Sequence, residues 1–151
     1  MPWSRLSALA VLSALALTAG AAAHTTQQGD LQVVHPWVAP AQAGASTEAH
    51  PTLVNTGDAP LRLVGATSPA AESVELLRDG ARVETIAIDP GATLAPPQFA
   101  LRLRGLAVDL PAGRYVPLTL HLRDRAPVEL RLAIGQDTMD PQRAVELPGT
   151  H

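Results

Sequence analysis

Histidine is the residue type of this sequence best suited to ligand binding. The 151 residues include five histidines and no cysteine. Neutral imidazole suits Cu(II) and several other transition metals. His50 has a second candidate ligand beside it, because Glu48 stands two residues earlier and residues two apart on a strand point to the same side. Glu48 and His50 therefore predict either two metal ligands on one face or a solvated polar edge.

His24 is a second candidate ligand. If an export signal ended at Ala23, His24 would open the cleaved chain, and its α-amino group and ring nitrogen could form one chelate ring with Cu(II). The alternative is that His24 only begins a polar segment. His121 alternates with Leu120 and Leu122, which predicts an outward position facing charged residues of a neighbouring strand. His151, the last residue, is expected to be solvated.

Composition argues against most other functions. The absence of cysteine excludes thiolate chemistry within these residues, and Met139 is the one methionine beyond the initiator. No nucleophile elbow, H-E-x-x-H helix or glycine-rich phosphate loop occurs, so the sequence does not predict an enzyme. A net charge of -3 and 3% aromatic residues offer neither a basic stripe nor a stacking platform, which argues against nucleic acid as a partner.

The first 23 residues have the pattern of a signal peptide. Arg5 is followed by an apolar run, residues 6–19, and by Ala21-Ala22-Ala23, the small residues that signal peptidase requires. A permanent transmembrane helix needs about 20 apolar residues, more than this run provides. The sequence predicts a signal peptide over 1–23, export to the periplasm, a domain over 24–135, an extended tail over 136–151, and no membrane span after cleavage.

Short apolar runs separated by turn residues predict an all-β domain. About eight strands are expected, and they include Leu31–His35, Thr52–Asn55, Arg82–Ile88 and Val128–Ile134. Asp79-Gly80 predicts a type I′ hairpin turn, in which both central residues need positive φ. Near-even spacing of the strands predicts a two-sheet sandwich. The polar segment from His24 to Asp30 is expected to be flexible.

Several segments, in order, resemble the periplasmic copper chaperone A (PCuAC) family. They are VHPWVAP (34–40), VNTGDAPLRLV (54–64), ATSPAAESVEL (66–76), LRGL (103–106) and PLTL (117–120). The resemblance implies a cupredoxin-like Greek-key β-sandwich, a framework role for His35, and Cu(I) held by two histidines and two methionines. It also implies copper, or a periplasmic copper-assembly protein, as partner.

The ligand positions of that family carry other residues in this chain. By the resemblance, Leu77 and Ala100 stand for the two histidines, Arg82 (or Glu84) stands for one methionine, and Arg102 stands for the other. Cu(I) is a soft ion that prefers thioether and imidazole, and a guanidinium has no free lone pair to donate. The family site is therefore predicted to be absent, although copper remains possible elsewhere.

Two hypotheses follow. The first is a periplasmic copper-chaperone-family protein with a degenerate Cu(I) site and weak Cu(II) binding through histidines. The second is a non-metal periplasmic interaction module, in which Arg102 and Arg104 form a cationic patch for a carboxylate or another anion. The alternative for the two arginines is an ordinary solvated strand face.

Overall fold

The computed structural model describes residues 25–136, and every regular element among them is a strand. The all-β prediction is confirmed, but thirteen short strands replace the eight expected. They are β1 (Thr25–Gln28), β2 (Leu31–Val34), β3 (Trp37–Val38), β4 (Thr47–Ala49), β5 (Thr52–Asn55), β6 (Leu61–Thr67), β7 (Ala71–Arg78), β8 (Ala81–Val83), β9 (Ile86–Ile88), β10 (Thr93–Leu94), β11 (Phe99–Leu106), β12 (Tyr115–Leu122) and β13 (Val128–Ile134).

Two sheets share one core. The smaller sheet has the order β1-β2-β5-β10, and the larger has the order β8-β7-β11-β4-β3-β13-β12-β6-β9. An additional pairing of β6 with β7 closes the larger sheet into a ring, and β8 and β9 flank that ring. Alternating side chains of both sheets point into a single apolar cluster, in which Leu53 of the small sheet and Phe99 of the large one are fully buried. The predicted sandwich-like packing of sheets is confirmed.

The differences from the prediction lie where strands are short or polar. Thr25–Gln28 was expected to be flexible, and this is wrong, because β1 pairs along its length with β2 through backbone bonds that need no apolar pattern. The single strand predicted over Arg82–Ile88 is also wrong. It divides at Glu84 and Thr85 into β8, which pairs with β7, and β9, which pairs with β6. Strands β3, β4 and β10 have two or three residues, too few to show a period.

Turns and pairings that depend on local chemistry follow the prediction. Asp79 and Gly80 have φ values of 50° and 80°, as a type I′ turn requires. Strands β12 and β13 are separated by residues 123–127, and this short connection predicts the antiparallel pair that they form. No helix among the described residues has the length and apolar character that crossing a membrane requires. The predicted signal peptide, His24, His151 and all of the tail except Gln136 lie outside the described residues, so these assignments and the domain boundaries stay predictions.

Candidate functional site

Strand register gathers the positions where the family carries copper ligands. On β7, Leu77 lies opposite both Arg82 of β8 and Ala100 of β11. Two residues along β11, Arg102 lies opposite Glu75 of β7 on one side and opposite Glu48 of β4 on the other. The residues named by resemblance are therefore neighbours on adjacent strands, which we call the site edge (Leu77, Arg82, Ala100 and Arg102).

The site edge offers no donor set for Cu(I). Leu77 and Ala100 are alkyl side chains, 2% and 8% exposed, and they present no lone pair. The other two positions carry guanidinium groups, which have no free lone pair for a metal ion. Both methionines of the sequence, Met1 and Met139, lie outside the described residues. Among residues 25–136, moreover, no group of three histidine, cysteine, aspartate or glutamate side chains is arranged to hold a metal ion.

A network of ion pairs covers the outer surface beside the site edge. Glu75 is its centre, with a side chain that is 11% exposed. Its Oε1 accepts a hydrogen bond from Arg104 Nη1 at 3.1 Å and lies 3.9 Å from Arg82 Nη1, while its Oε2 lies 3.9 Å from Arg102 Nη1. Arg102 Nη2 also donates to Glu48 Oε1 at 3.0 Å. We call these five residues, together with Glu84 at 3.9 Å from Arg82, the charged face.

The charged face corrects the prediction of a cationic patch. Three arginines meet three glutamates there, so the surface is balanced in charge. Arg102 and Arg104 project outward as expected, but antiparallel pairing brings a carboxylate within hydrogen-bond distance of each. The sequence could not show this, because Glu48 and Glu75 lie 54 and 27 residues before Arg102.

A pocket of about 550 Å³ opens next to the site edge. Leu77 and Ala100 form part of its wall, together with Pro96 and Pro97. The other residues that line the pocket include His35, Trp37, Glu48, His50, Thr52 and Gln136. The pocket therefore combines apolar surface with a few polar groups, the usual composition of a ligand site.

Glu48 and His50 both line this pocket, and their spacing predicted that they share a face of the strand. The backbone N–H of His50 donates to the backbone carbonyl of Trp37 at 2.8 Å. The centroids of the His50 and Trp37 rings are 4.8 Å apart, and the ring planes meet at 38°. Glu48 is already paired with Arg102, so a metal ion would have to compete with a guanidinium for that carboxylate. Metal ligation by Glu48 and His50 stays a prediction.

Two further histidines are placed by the structure. His35, for which the resemblance implied a framework role, is exposed and has a positive φ of 47°. It lines the same pocket as His50, a position that nothing in its sequence neighbourhood indicated. His121 is not part of the pocket lining, and its Nε2 lies 2.9 Å from Thr67 Oγ1 on β6, so its hydrogen-bond partner is a hydroxyl group rather than the charged residue expected.

Comparison with solved structures identifies proteins with a similar fold. The PCuAC domain of PmoF2, solved with copper bound, matches with a TM-score of 0.66 and 24% identity over 74% of this chain and 97% of that domain. The apo PCuAC domain of PmoF1 gives 0.67 and 23% over 74% and 98%. Cu(I)-bound DR1885 of Deinococcus radiodurans gives 0.56 and 26% over 67% and 76%. The PCuAC-like fold is therefore confirmed.

Sequence comparison assigns the family. "Putative lipoprotein Lxx21020" of Leifsonia xyli subsp. xyli is 35% identical over an alignment of 122 positions, and the match covers 74% of this chain and 73% of that protein. The family model described as "Putative lipoprotein LpqE-like" matches residues 31–134, which include all of the site edge. The chain belongs to the LpqE-like family.

Proposed function

We propose that this protein is an exported, non-catalytic relative of the copper chaperones that does not carry Cu(I) at the site edge. Its remaining copper chemistry is weak binding of Cu(II) through histidines. The observation that carries the proposal is the identity of the four side chains brought together there, two alkyl groups and two guanidinium groups in ion pairs. None of them gives Cu(I) the thioether or imidazole it prefers.

Export to the periplasm is part of the proposal. Its support is the signal-peptide pattern of residues 1–23 together with the word lipoprotein in the names of the family and of its Leifsonia relative. The partners that this compartment offers are copper itself or a periplasmic protein of copper assembly. Secretion of a fusion to a periplasmic reporter enzyme, with and without residues 1–23, tests the location.

Rebuilding the site edge tests the loss of Cu(I) binding. We expect the wild-type protein to release Cu(I) fully to a strong competing chelator. The variant L77H/R82M/A100H/R102M should retain about one ion per chain, because it restores two imidazoles and two thioethers. A matched control, R82L/R102L, removes the same two arginines without adding sulfur and should bind no Cu(I). Stoichiometric Cu(I) in the wild-type protein would contradict the proposal.

The proposed Cu(II) ligands are His50 and Glu48, with His24 as an alternative. Because Glu48 must leave Arg102 to bind a metal ion, we expect low affinity. Titration followed by electron paramagnetic resonance should show binding that H50A weakens and that H121A, a control outside the pocket, leaves unchanged. H24A in the cleaved protein measures the share of the amino-terminal chelate. Equal spectra for all of these variants would remove histidines from the proposal.

The alternative function, a non-metal interaction module, uses the charged face. A partner that presents a carboxylate to Arg102 or Arg104 has to displace Glu48 or Glu75, because both arginines already donate to a protein carboxylate. Co-purification with the wild-type protein and with R102A/R104A separates the two functions. A partner lost only in the double variant supports the module, and identical partner sets count against it.

A further inference from the structure

The pocket beside the site edge has an apolar wall where the family carries copper ligands. Leu77 and Ala100, which by resemblance stand at the two histidine positions, are 2% and 8% exposed and form part of that wall. Trp37, Pro96 and Pro97 add further apolar surface. The pocket volume of about 550 Å³ lies within the range of small-molecule sites. The residues that replace the Cu(I) ligands therefore supply a surface suited to the apolar body of an organic ligand.

The polar groups of the pocket offer hydrogen-bond acceptors. Glu48 carries a carboxylate, which only accepts, and the Thr52 hydroxyl and a neutral His50 ring each provide a lone pair. Among residues 25–136, those that line the pocket include one carboxylate and no arginine. A primary ammonium ion has a positive charge and three N–H donors, so it complements this set of groups in both charge and hydrogen bonding.

The ion pair between Glu48 and Arg102 leaves one carboxylate oxygen for such a ligand. Arg102 Nη2 donates to Glu48 Oε1 at 3.0 Å, and the same guanidinium lies 3.9 Å from Glu75 Oε2. The charge of Arg102 is therefore shared between two carboxylates. The Glu48 side chain is 41% exposed, so its Oε2 can accept a hydrogen bond from an ammonium ion while Oε1 stays with Arg102. The face of the Trp37 ring attracts a cation as well.

We propose that the pocket binds a small primary amine in its ammonium form, with the ammonium group at Glu48 and the apolar body against Trp37, Leu77 and Ala100. This goes beyond the proposed function, because it requires no metal ion. Glu48 and His50 are also the proposed Cu(II) ligands, so amine binding is measured with a metal chelator present. Failure of amine binding then leaves the Cu(II) proposal standing, and failure of Cu(II) binding leaves the amine site standing.

Fluorescence of Trp37 in the full chain measures the binding. The sequence has two tryptophans, so W3F leaves Trp37 as the one emitter. Three probes share a phenyl ring and differ in charge: benzylammonium, benzyl alcohol and benzoate. Benzylammonium should bind about tenfold more tightly than the other two, because its hydrogen bond to Glu48 is charge-assisted. Equal affinities for the three probes would overturn the proposal.

Variants locate the charge that the ligand recognises. E48Q should weaken benzylammonium about tenfold and leave benzyl alcohol unchanged, which also shows that the pocket has kept its shape. R102Q should tighten benzylammonium about threefold, because Glu48 then no longer shares its charge with Arg102. E129Q is the control, since it removes an exposed carboxylate of β13 outside the pocket lining, and it should change neither affinity. Equal losses in E48Q and E129Q would indicate general attraction to an acidic protein and would overturn the site.

A series of ligands tests the apolar wall without any change in the protein. From methylammonium to pentylammonium, affinity should rise about two- to fourfold for each added methylene, because each one covers part of Trp37, Leu77 or Ala100. A flat series would show that charge alone is recognised, and would overturn the placement of the apolar body in the pocket.

Discussion

Two polar clusters of this domain differ in their exposure to water: one surrounds the buried side chain of Asn55, and the other is the charged face on the surface. Asn55, at the end of β5, is fully buried and makes three side-chain hydrogen bonds. Its Nδ2 donates to the carbonyls of Ala59 at 2.8 Å and Ile88 at 2.9 Å, and its Oδ1 accepts from the Gly57 N–H at 3.0 Å. The charged face has more contacts, but its arginine side chains are 38–64% exposed.

The difference shows which polar groups determine the fold. Water replaces a lost ion pair at the surface, so exposed pairs contribute about 0–1 kcal/mol each. The hydrogen bond from Asn55 to the Ile88 carbonyl is buried, and a buried carbonyl left unpaired costs about 1–3 kcal/mol. Substitutions on the charged face should therefore cost less stability than substitutions at Asn55. This is consistent with a PCuAC-like fold that lacks copper ligands at its site edge.

The largest effect is expected at Asn55. Asn55→Leu should lower the free energy of unfolding by about 2–3 kcal/mol, because it leaves the buried Ile88 carbonyl without a donor and removes the acceptor of the Gly57 N–H. Urea unfolding measures the change. Thr56→Ala is the matched control, since its side chain is exposed, and it should cost well under about 1 kcal/mol. Similar losses for the two variants would contradict the contrast between the clusters.

A smaller effect is expected beside Asn55. A Cβ added at Gly57 would lie 2.5 Å from Asp30 Cγ, and Asp30 is held by Arg125, whose Nη1 is 2.9 Å from its Oδ2. Gly57→Ala should therefore cost about 1–2 kcal/mol through overpacking. Gly65→Ala is the control, because nothing lies within 4 Å of its added Cβ. If both variants unfold at the same urea concentration, the chain around Gly57 is looser than its contacts indicate.

The sequence predicted what depends on local pattern. Alternating apolar residues in β12 and β13 identified strands, and Asp79-Gly80 identified a hairpin, because in each case the chemistry lies within a few residues. The resemblance also identified the positions of the site edge, and strand register brings them together on adjacent strands.

Long-range pairing limited the prediction of the site. The partners of Arg102 and Arg104 depend on the register of β4, β7 and β11, and no local pattern specifies that register. The meeting of His35 and His50 at one pocket likewise depends on the contact between β3 and β4. Neither feature can be read from spacing along the chain.

The smallest effect is expected on the charged face, at its centre. Glu75→Gln keeps the size of the side chain and removes the charge that three arginines share, so it should cost about 1 kcal/mol at low salt. The cost should be smaller at high salt, because the arginine partners of the largely buried Glu75 are exposed and salt screens their charges. Glu84→Gln is the control, because that side chain is 89% exposed and lies 3.9 Å from Arg82; it should change the urea midpoint little. A loss at Glu75 as large as the loss at Asn55, and insensitive to salt, would show that the ion pairs hold β7 and β11 together. The charged face would then be part of the framework rather than a surface open to change.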